Sequence, residues 1–167
     1  MDPSRHAQNK GWLEWLTHKI PGFHGYMERE DRRESDALAR KWLEGRLQQA
    51  KRGLDDRMRK LVDAGQLDAL AGWERLRSRL DGLLNKIRGA ERGYSAMFNF
   101  VKVDEDVLGQ VYAIDMGLVE SVTAWSELIE QPGETNAQAA DQFLQKLDAI
   151  EASFAKRGEV LRGLGPA

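Results

Sequence analysis

The chain has 167 residues, enough for one domain with a substantial core, and it contains no cysteine. The missing thiols exclude disulfides, thiolate zinc sites, iron–sulfur clusters and cysteine nucleophiles, and they fit a reducing compartment such as the cytoplasm. With 41% hydrophobic and 31% charged residues and a net charge of −2, the composition is that of a charge-rich helical protein with no whole-molecule drive towards nucleic acid.

Residues 1–9 are polar and read as a frayed end without the continuous apolar core of a signal peptide. Lys10 to Ile20 follow with Trp12, Leu13, Leu16 and Ile20 on one face, the pattern of a short amphipathic helix. Pro21 and Gly22 stop it, because the residue before proline leaves the α region. Residues 1–27 thus form an N-terminal helix and an aromatic, glycine-rich loop, and residues 28–167 form a single helical domain.

The first long helix is predicted over 28–64, with Leu38, Trp42, Leu43, Leu47, Leu54, Met58, Leu61 and Val62 as its apolar stripe and Gly65 just past its end. The second runs over 68–99, with Asp68 as its cap. Trp73, Leu76, Leu80, Leu83, Ile87, Ala90, Tyr94 and Met97 hold a strict 3-4 spacing along it, a coiled-coil-like seam that must face other helices. Phe98, Phe100, Val101 and Val103 make an apolar crossing. Asp104 caps a third helix over 105–130, and Thr135 with Gln138 forms a capping box for a fourth over 136–162. Short connections favour antiparallel neighbours, so the expected fold is all-α. It is an antiparallel four-helix bundle with a short N-terminal amphipathic helix, the first pair overhanging the second.

Four features could carry function. Residues 103–134 hold eight acids and no Lys or Arg, while residues 28–102 hold eighteen basic and thirteen acidic residues. The acidic helix either lies beside basic neighbours or offers Glu120, Glu127 and Glu130 as a docking face for a basic partner. Asp115 interrupts the seam Leu108, Val111, Leu118, Val122, Trp125 and Ile129. The helix either rotates to put Ile114 in the core and leave Asp115 paired with an Arg at the edge, or it buries Asp115 as a polar site. Such a site fixes register or, with Tyr94 and Tyr112, lines a ligand pocket. Trp12, Trp15, Leu16, Ile20, Phe23 and Tyr26 crowd fifteen residues. They cap the bundle, anchor it in a partner's groove, or form a membrane foot flanked by Lys10 and Lys19. Gly82, Gly89, Gly93, Gly109 and Gly117 lie inside helices, as close-approach points or as tolerated weak spots.

Other chemistry has no residues to use. The histidines are His6, His18 and His24, outside the long helices, so the Glu-x-x-His pairs of bundle metal sites cannot be built. No phosphate loop or Gly-x-Ser-x-Gly turn is present. No cofactor, metal or nucleic-acid partner is expected, and no apolar run approaches the ~20 residues that span a bilayer. The expected role is a non-enzymatic interaction or scaffold protein that binds a protein partner or itself. The alternatives are a peripheral membrane protein anchored by residues 10–26 and a ligand binder or enzyme around Asp115.

Ile20-Pro21-Gly22-Phe23-His24-Gly25-Tyr26, running into a charged helix start, resembles the opening of a group of uncharacterised bacterial helical proteins. The motif spans about residues 12–40. The resemblance implies a bacterial, intracellular origin and carries no activity or site residue.

Overall fold

The computed structural model describes residues 3–94 and 104–162, and its regular elements there are all helices. They are α1 (Pro3–Lys19), α2 (Arg29–Asp63), α3 (Leu67–Gly89), α4 (Glu105–Glu130) and α5 (Ala137–Arg162), with a 3-10 turn, Ala90–Gly93, after α3. No helix among them is long and apolar enough to cross a membrane. Of the residues expected to fray, those from Pro3 onward are part of α1, which has 17 residues in place of a short segment. The second helix ends ten residues sooner than expected, where Gly89 and Gly93 weaken it. Met97 and the apolar crossing at Phe98, Phe100, Val101 and Val103 lie outside the described residues.

Local chemistry explains most boundaries. Gly65, at φ +69°, ends α2: its own N–H bonds Val62 O at 3.0 Å and the Gln66 N–H bonds Leu61 O at 2.9 Å, which satisfies two orphan carbonyls. The Asp104 side chain accepts the Asp106 N–H and caps α4 as expected. Two other caps are corrected. Asn136, not Thr135, caps α5 by accepting the Ala139 N–H at 2.8 Å. Asp68 lies inside the first turn of α3, where its charge still suits the helix N-terminus.

The helices pair as two hairpins. Along α2 and α3 the ion pairs Glu44–Arg88, Lys51–Asp81 and Asp55–Arg77 rise on one helix and fall on the other. In the α4–α5 hairpin, the Trp125 indole donates to Phe143 O at one end and Arg157 reaches Asp115 at the other. The hairpins then pack side by side, α2 on α4 and α3 on α5. These cross pairs run parallel. Gly72 meets Ala140, Arg79 meets Asp148 and Lys86 meets Glu151, while Asp36 shares Arg157 with Asp115 and Gly53 lies against Ile129 O. The expected ring, with each helix beside its neighbour in sequence, is therefore not the one formed. The principal neighbours of α4 are α2, α5 and α1. Charge accounts for the exchange: α2 offers Arg46 to Glu130 at 2.5 Å and wraps Arg57 around the carbonyl end of α4. The expected overhang of the first pair reduces to α2 alone, about 50 Å long against about 35 Å for α3.

One core fills the space between α2, α3, α4 and α5, with Leu47, Leu54, Trp73, Leu76, Leu80, Leu83, Val122 and Leu147 wholly inaccessible. The α3 seam is one wall of it. A second core lies beneath α1 and joins Leu16, Ile20, Phe23 and Tyr26 to Ala39, Leu108, Val111, Tyr112 and Val119. Those four N-terminal side chains are buried in their own bundle, so they cannot also be a membrane foot or a partner's anchor; only Trp12 and Trp15 keep partial exposure.

The glycines divide by what surrounds them. A Cβ on Gly82, Gly89 or Gly117 would meet nothing within 4 Å, so these are tolerated weak spots. A Cβ on Gly109 would strike Asn9 Oδ1 at 2.9 Å, because α1 crosses α4 there. Gly25 has φ +89°, and a Cβ would lie 2.7 Å from the Tyr112 hydroxyl and 2.8 Å from Leu13 Cδ1. Gly25→Ala should therefore destabilise the protein by about 2–3 kcal/mol, and Gly82→Ala should stabilise it by about 0.5–1 kcal/mol, both read from urea denaturation midpoints.

Candidate functional site: a buried arginine, two carboxylates and three tyrosines

Arg157 is the centre of the most unusual environment in the molecule. On α5 the positions Ala140, Phe143, Leu147, Ile150, Phe154, Arg157 and Leu161 follow a 3-4 spacing, so the guanidinium stands where the core needs an apolar side chain. It has no solvent exposure. Its Nε–H donates to Asp115 Oδ1 at 2.6 Å, Nη1 to Asp36 Oδ1 at 2.8 Å, and Nη2 to the Tyr26 hydroxyl at 2.9 Å. Its Cζ lies 5.7 Å from the centre of the Tyr94 ring.

Each partner is held in turn. Tyr26 O–H donates to Asp115 Oδ2 at 2.6 Å, so both Asp115 oxygens are occupied. Asp36 Oδ2 accepts from Arg40 Nε at 2.9 Å, and Arg40 reaches Ile87 O and Glu91. The Tyr26 N–H donates to the Tyr112 hydroxyl at 2.9 Å, and Arg32 Nε donates to Tyr26 O at 2.8 Å. Tyr26 and Tyr112 stack at 5.6 Å. Two arginines thus face two carboxylates with their hydrogen-bonding positions filled from α2, α4, α5 and the loop between α1 and α2.

The electrostatics match this closure. Burial alone disfavours the charge on Arg157, yet Asp115, then Tyr26 and Asp36, outweigh it and hold the guanidinium protonated. Burial, reinforced by Asp115, pushes the Tyr26 hydroxyl well above its ordinary range. Burial also raises Tyr94, against the pull of Arg157, and Tyr112, against its bond from the Tyr26 backbone. None of these groups is placed as an open acid, base or nucleophile. Among the described residues no three His, Cys, Asp or Glu side chains converge as metal ligands would.

The placement of the expected site residues is now explicit. Asp115 is buried and Ile114 only partly so; the helix does not rotate to expel the carboxylate, because Arg157 and Tyr26 satisfy it in place. Among the described residues Asp115, Tyr94 and Tyr112 do not share a pocket: both oxygens of Asp115 are taken up by Arg157 and Tyr26, while Tyr94 and Tyr112 edge separate hollows, one with Lys86, Phe154 and Arg162 and one with Leu13 and Leu108. Of the acidic trio, Glu130 is bound by Arg46, whereas Glu120 and Glu127 are exposed. Most other acids of residues 103–134 are engaged internally: Asp104 as a cap, Glu105 near His6, Asp106 with Arg5 and Glu134 with Asn136. Asp36, Arg40 and Arg157 were missed, although all three stand on 3-4 spacings.

Another buried arginine, Arg57, closes the opposite end. Arg57 donates to the carbonyls of Leu128, Ile129, Gln131 and Glu134, and lies 5.5 Å and 5.4 Å from the Trp73 and Phe143 ring centres. It caps α4 and fixes the turn into α5.

Asp115→Asn should cost about 3–5 kcal/mol, because it leaves the Arg157 charge half-compensated in the core. Ser126→Ala should be neutral or slightly stabilising, since Ser126 Oγ is buried without a hydrogen-bond partner. Denaturant titrations followed by circular dichroism check both. The tyrosines make a pH prediction. All three have raised pKa values in the fold, so folding retains protons that the unfolded chain releases above the ordinary value of 10.0. Stability should be unaffected by these groups below that pH and fall as pH rises through it. Tyrosinate absorbance should appear together with loss of helix, not before it. No protein-family model, curated protein or solved structure matches this chain.

Proposed function

We propose that the chain is a non-enzymatic interaction or scaffold module that acts in a reducing bacterial cytoplasm. The observation that carries this is the saturation of the buried polar centre around Arg157. Every hydrogen-bonding atom of Asp115 and Asp36 is occupied by Arg157, Arg40 or Tyr26, so the centre holds helices together and leaves no group to act on a substrate. Binding then belongs to the surface. The exposed stretch of α4 supports a docking face: Glu120 and Glu127 have no ion-pair partner among the described residues, and Leu128 beside them is 41% exposed. Two acids next to an apolar side chain suit a protein partner with basic residues.

Photo-crosslinking tests the module and locates its face. A benzoylphenylalanine is placed in turn at Gln49, Ser78, Ser121 and Gln145, exposed positions on four different helices. A discrete adduct is expected from Ser121, and Glu120→Lys with Glu127→Lys should reduce it about tenfold with helicity unchanged. Silence at all four positions would overturn the proposal.

A further inference from the structure

Two exposed strips of opposite charge lie on neighbouring helices. The basic one belongs to α2. Beyond the end of α1 an open hollow of about 420 Å³ lies against α2, walled by Leu38 and Trp42 and bordered by Ile20 and Pro21. Gly45 leaves it clear, since a Cβ there would meet nothing within 4 Å. Arg46 stands at one edge, already held by Glu130; Lys41, about 140° away around the helix, stands at the other. Residue 52 falls within about 20° of residue 41, so Arg52 continues the Lys41 edge three turns on. Lys41 and Arg52 are exposed and have no ion-pair partner among the described residues. The acid between them in sequence, Glu44, is turned to Arg88 on α3. Glu34, about two turns ahead of Lys41 on the same edge, marks where the basic strip begins.

The acidic strip belongs to α4. Glu120 and Glu127 are seven residues apart on one line of the helix, exposed, and likewise without an ion-pair partner among the described residues. Leu128 follows them at 41% exposure, and Gly117 and Ala124 place no large side chain beside them. Along the helix axes the two acids are about 10 Å apart and the two cations about 16 Å, a difference that the long stems of lysine and arginine reach across. Helices α2 and α4 pack against each other, and the Arg46–Glu130 pair joins the edge of the hollow to the turn of α4 that follows Glu127. One molecule therefore carries both halves of a charge-complementary contact, and its own two halves do not meet each other.

We propose that the two strips meet between two copies of the chain, in a reciprocal two-fold dimer. The inference rests on the interaction-module reading above and names the partner as a second copy. Each copy lays Glu120 and Glu127 on Lys41 and Arg52 of the other and turns Leu128 towards the hollow at Leu38 and Trp42. Because both strips lie on the α2–α4 pair, one two-fold axis makes both contacts at once; a single contact would leave one strip of each kind open and let the chain grow head to tail. The net charge of −2 puts little overall repulsion in the way. An anionic membrane would also attract Lys41 and Arg52, but it would bring the acids of the adjoining α4 against the same headgroups.

Sedimentation velocity of the full chain should show monomer passing to dimer as concentration rises, and added salt should weaken the association. Lys41→Glu with Arg52→Glu, and separately Glu120→Lys with Glu127→Lys, should each weaken dimerisation at least about tenfold with helicity unchanged. Mixing the two charge-reversed proteins should restore it, because each then offers the charge that the other needs at both contacts. Gly45→Trp should abolish the dimer by filling the hollow without touching the core. A chain that stays monomeric at every concentration, or a mixture that associates no better than either variant alone, would overturn the proposal. Open-ended oligomers in place of a dimer would overturn it too. So would a monomer that floats with phosphatidylcholine–phosphatidylglycerol vesicles and loses this with Lys41→Glu and Arg52→Glu, which assigns the hollow to a lipid surface. A Ser121 crosslink at twice the mass of the chain supports the dimer. A Ser121 crosslink to a different protein, from a chain that is monomeric, would sink the dimer and leave the module standing.

Discussion

The guanidinium of Arg157 is held where water cannot reach it, between Asp115 on one side and Asp36 on the other. A lone buried cation would cost many kcal/mol, so the ion survives only while both carboxylates and the Tyr26 hydroxyl stay in place. That requirement ties α5 to α4, α4 to α2, and all three to the loop that carries Tyr26. Moving any one of them strands a charge. Four helices with repeating apolar seams could otherwise slip by a heptad, about 10 Å, with modest loss of apolar contact. Slippage here would separate Arg157 from both acids. The polar layer therefore selects one register out of several that the apolar seams would accept.

Arg57 does comparable work at the other end by different means. It satisfies carbonyls instead of carboxylates and lies between the rings of Trp73 and Phe143. The apolar middle, from Leu43 to Leu54 on α2 and from Leu118 to Trp125 on α4, is thus bracketed by two cationic layers. Internal complementarity also explains most of the acidic character of α4. Its acids cap its own start, hold α1 or hold α2, and what remains for the surface is a pair of glutamates.

How much of this was legible in the sequence depended on whether a residue obeyed the apolar pattern. Trp73, Leu76, Leu80, Leu83 and Ile87 repeat without interruption, and all are buried. Gly65 and Asp104 act as the cap chemistry requires. The apolar stripe of α2 falls out of phase with its buried seam at the ends, because positions 36, 40, 43, 47, 50, 54, 57 and 61 include Asp36, Arg40 and Arg57, which an apolar template discards. The same template drops Arg157. An intrahelical spacing cannot say that polar residues on three helices meet at one level, since that depends on hairpin stacking. Nor does a sequence with short connections show that α4 crosses to lie beside α2. Asp115 was visible because it broke a strong pattern; its partners broke weaker ones.

The two-hairpin arrangement also bears on the order in which the chain assembles. Each hairpin can form from residues close in sequence: Lys51 with Asp81 across thirty positions, Trp125 with Phe143 across eighteen. The bonds that join them span far more chain, 121 residues from Asp36 to Arg157 and 131 from Tyr26 to Arg157. Loop-closure entropy and the cost of stripping water from the charges both delay those bonds until the hairpins are already shaped. On that order the central salt bridges are expected to form after the transition state, as a latch that slows unfolding more than it changes the folding rate.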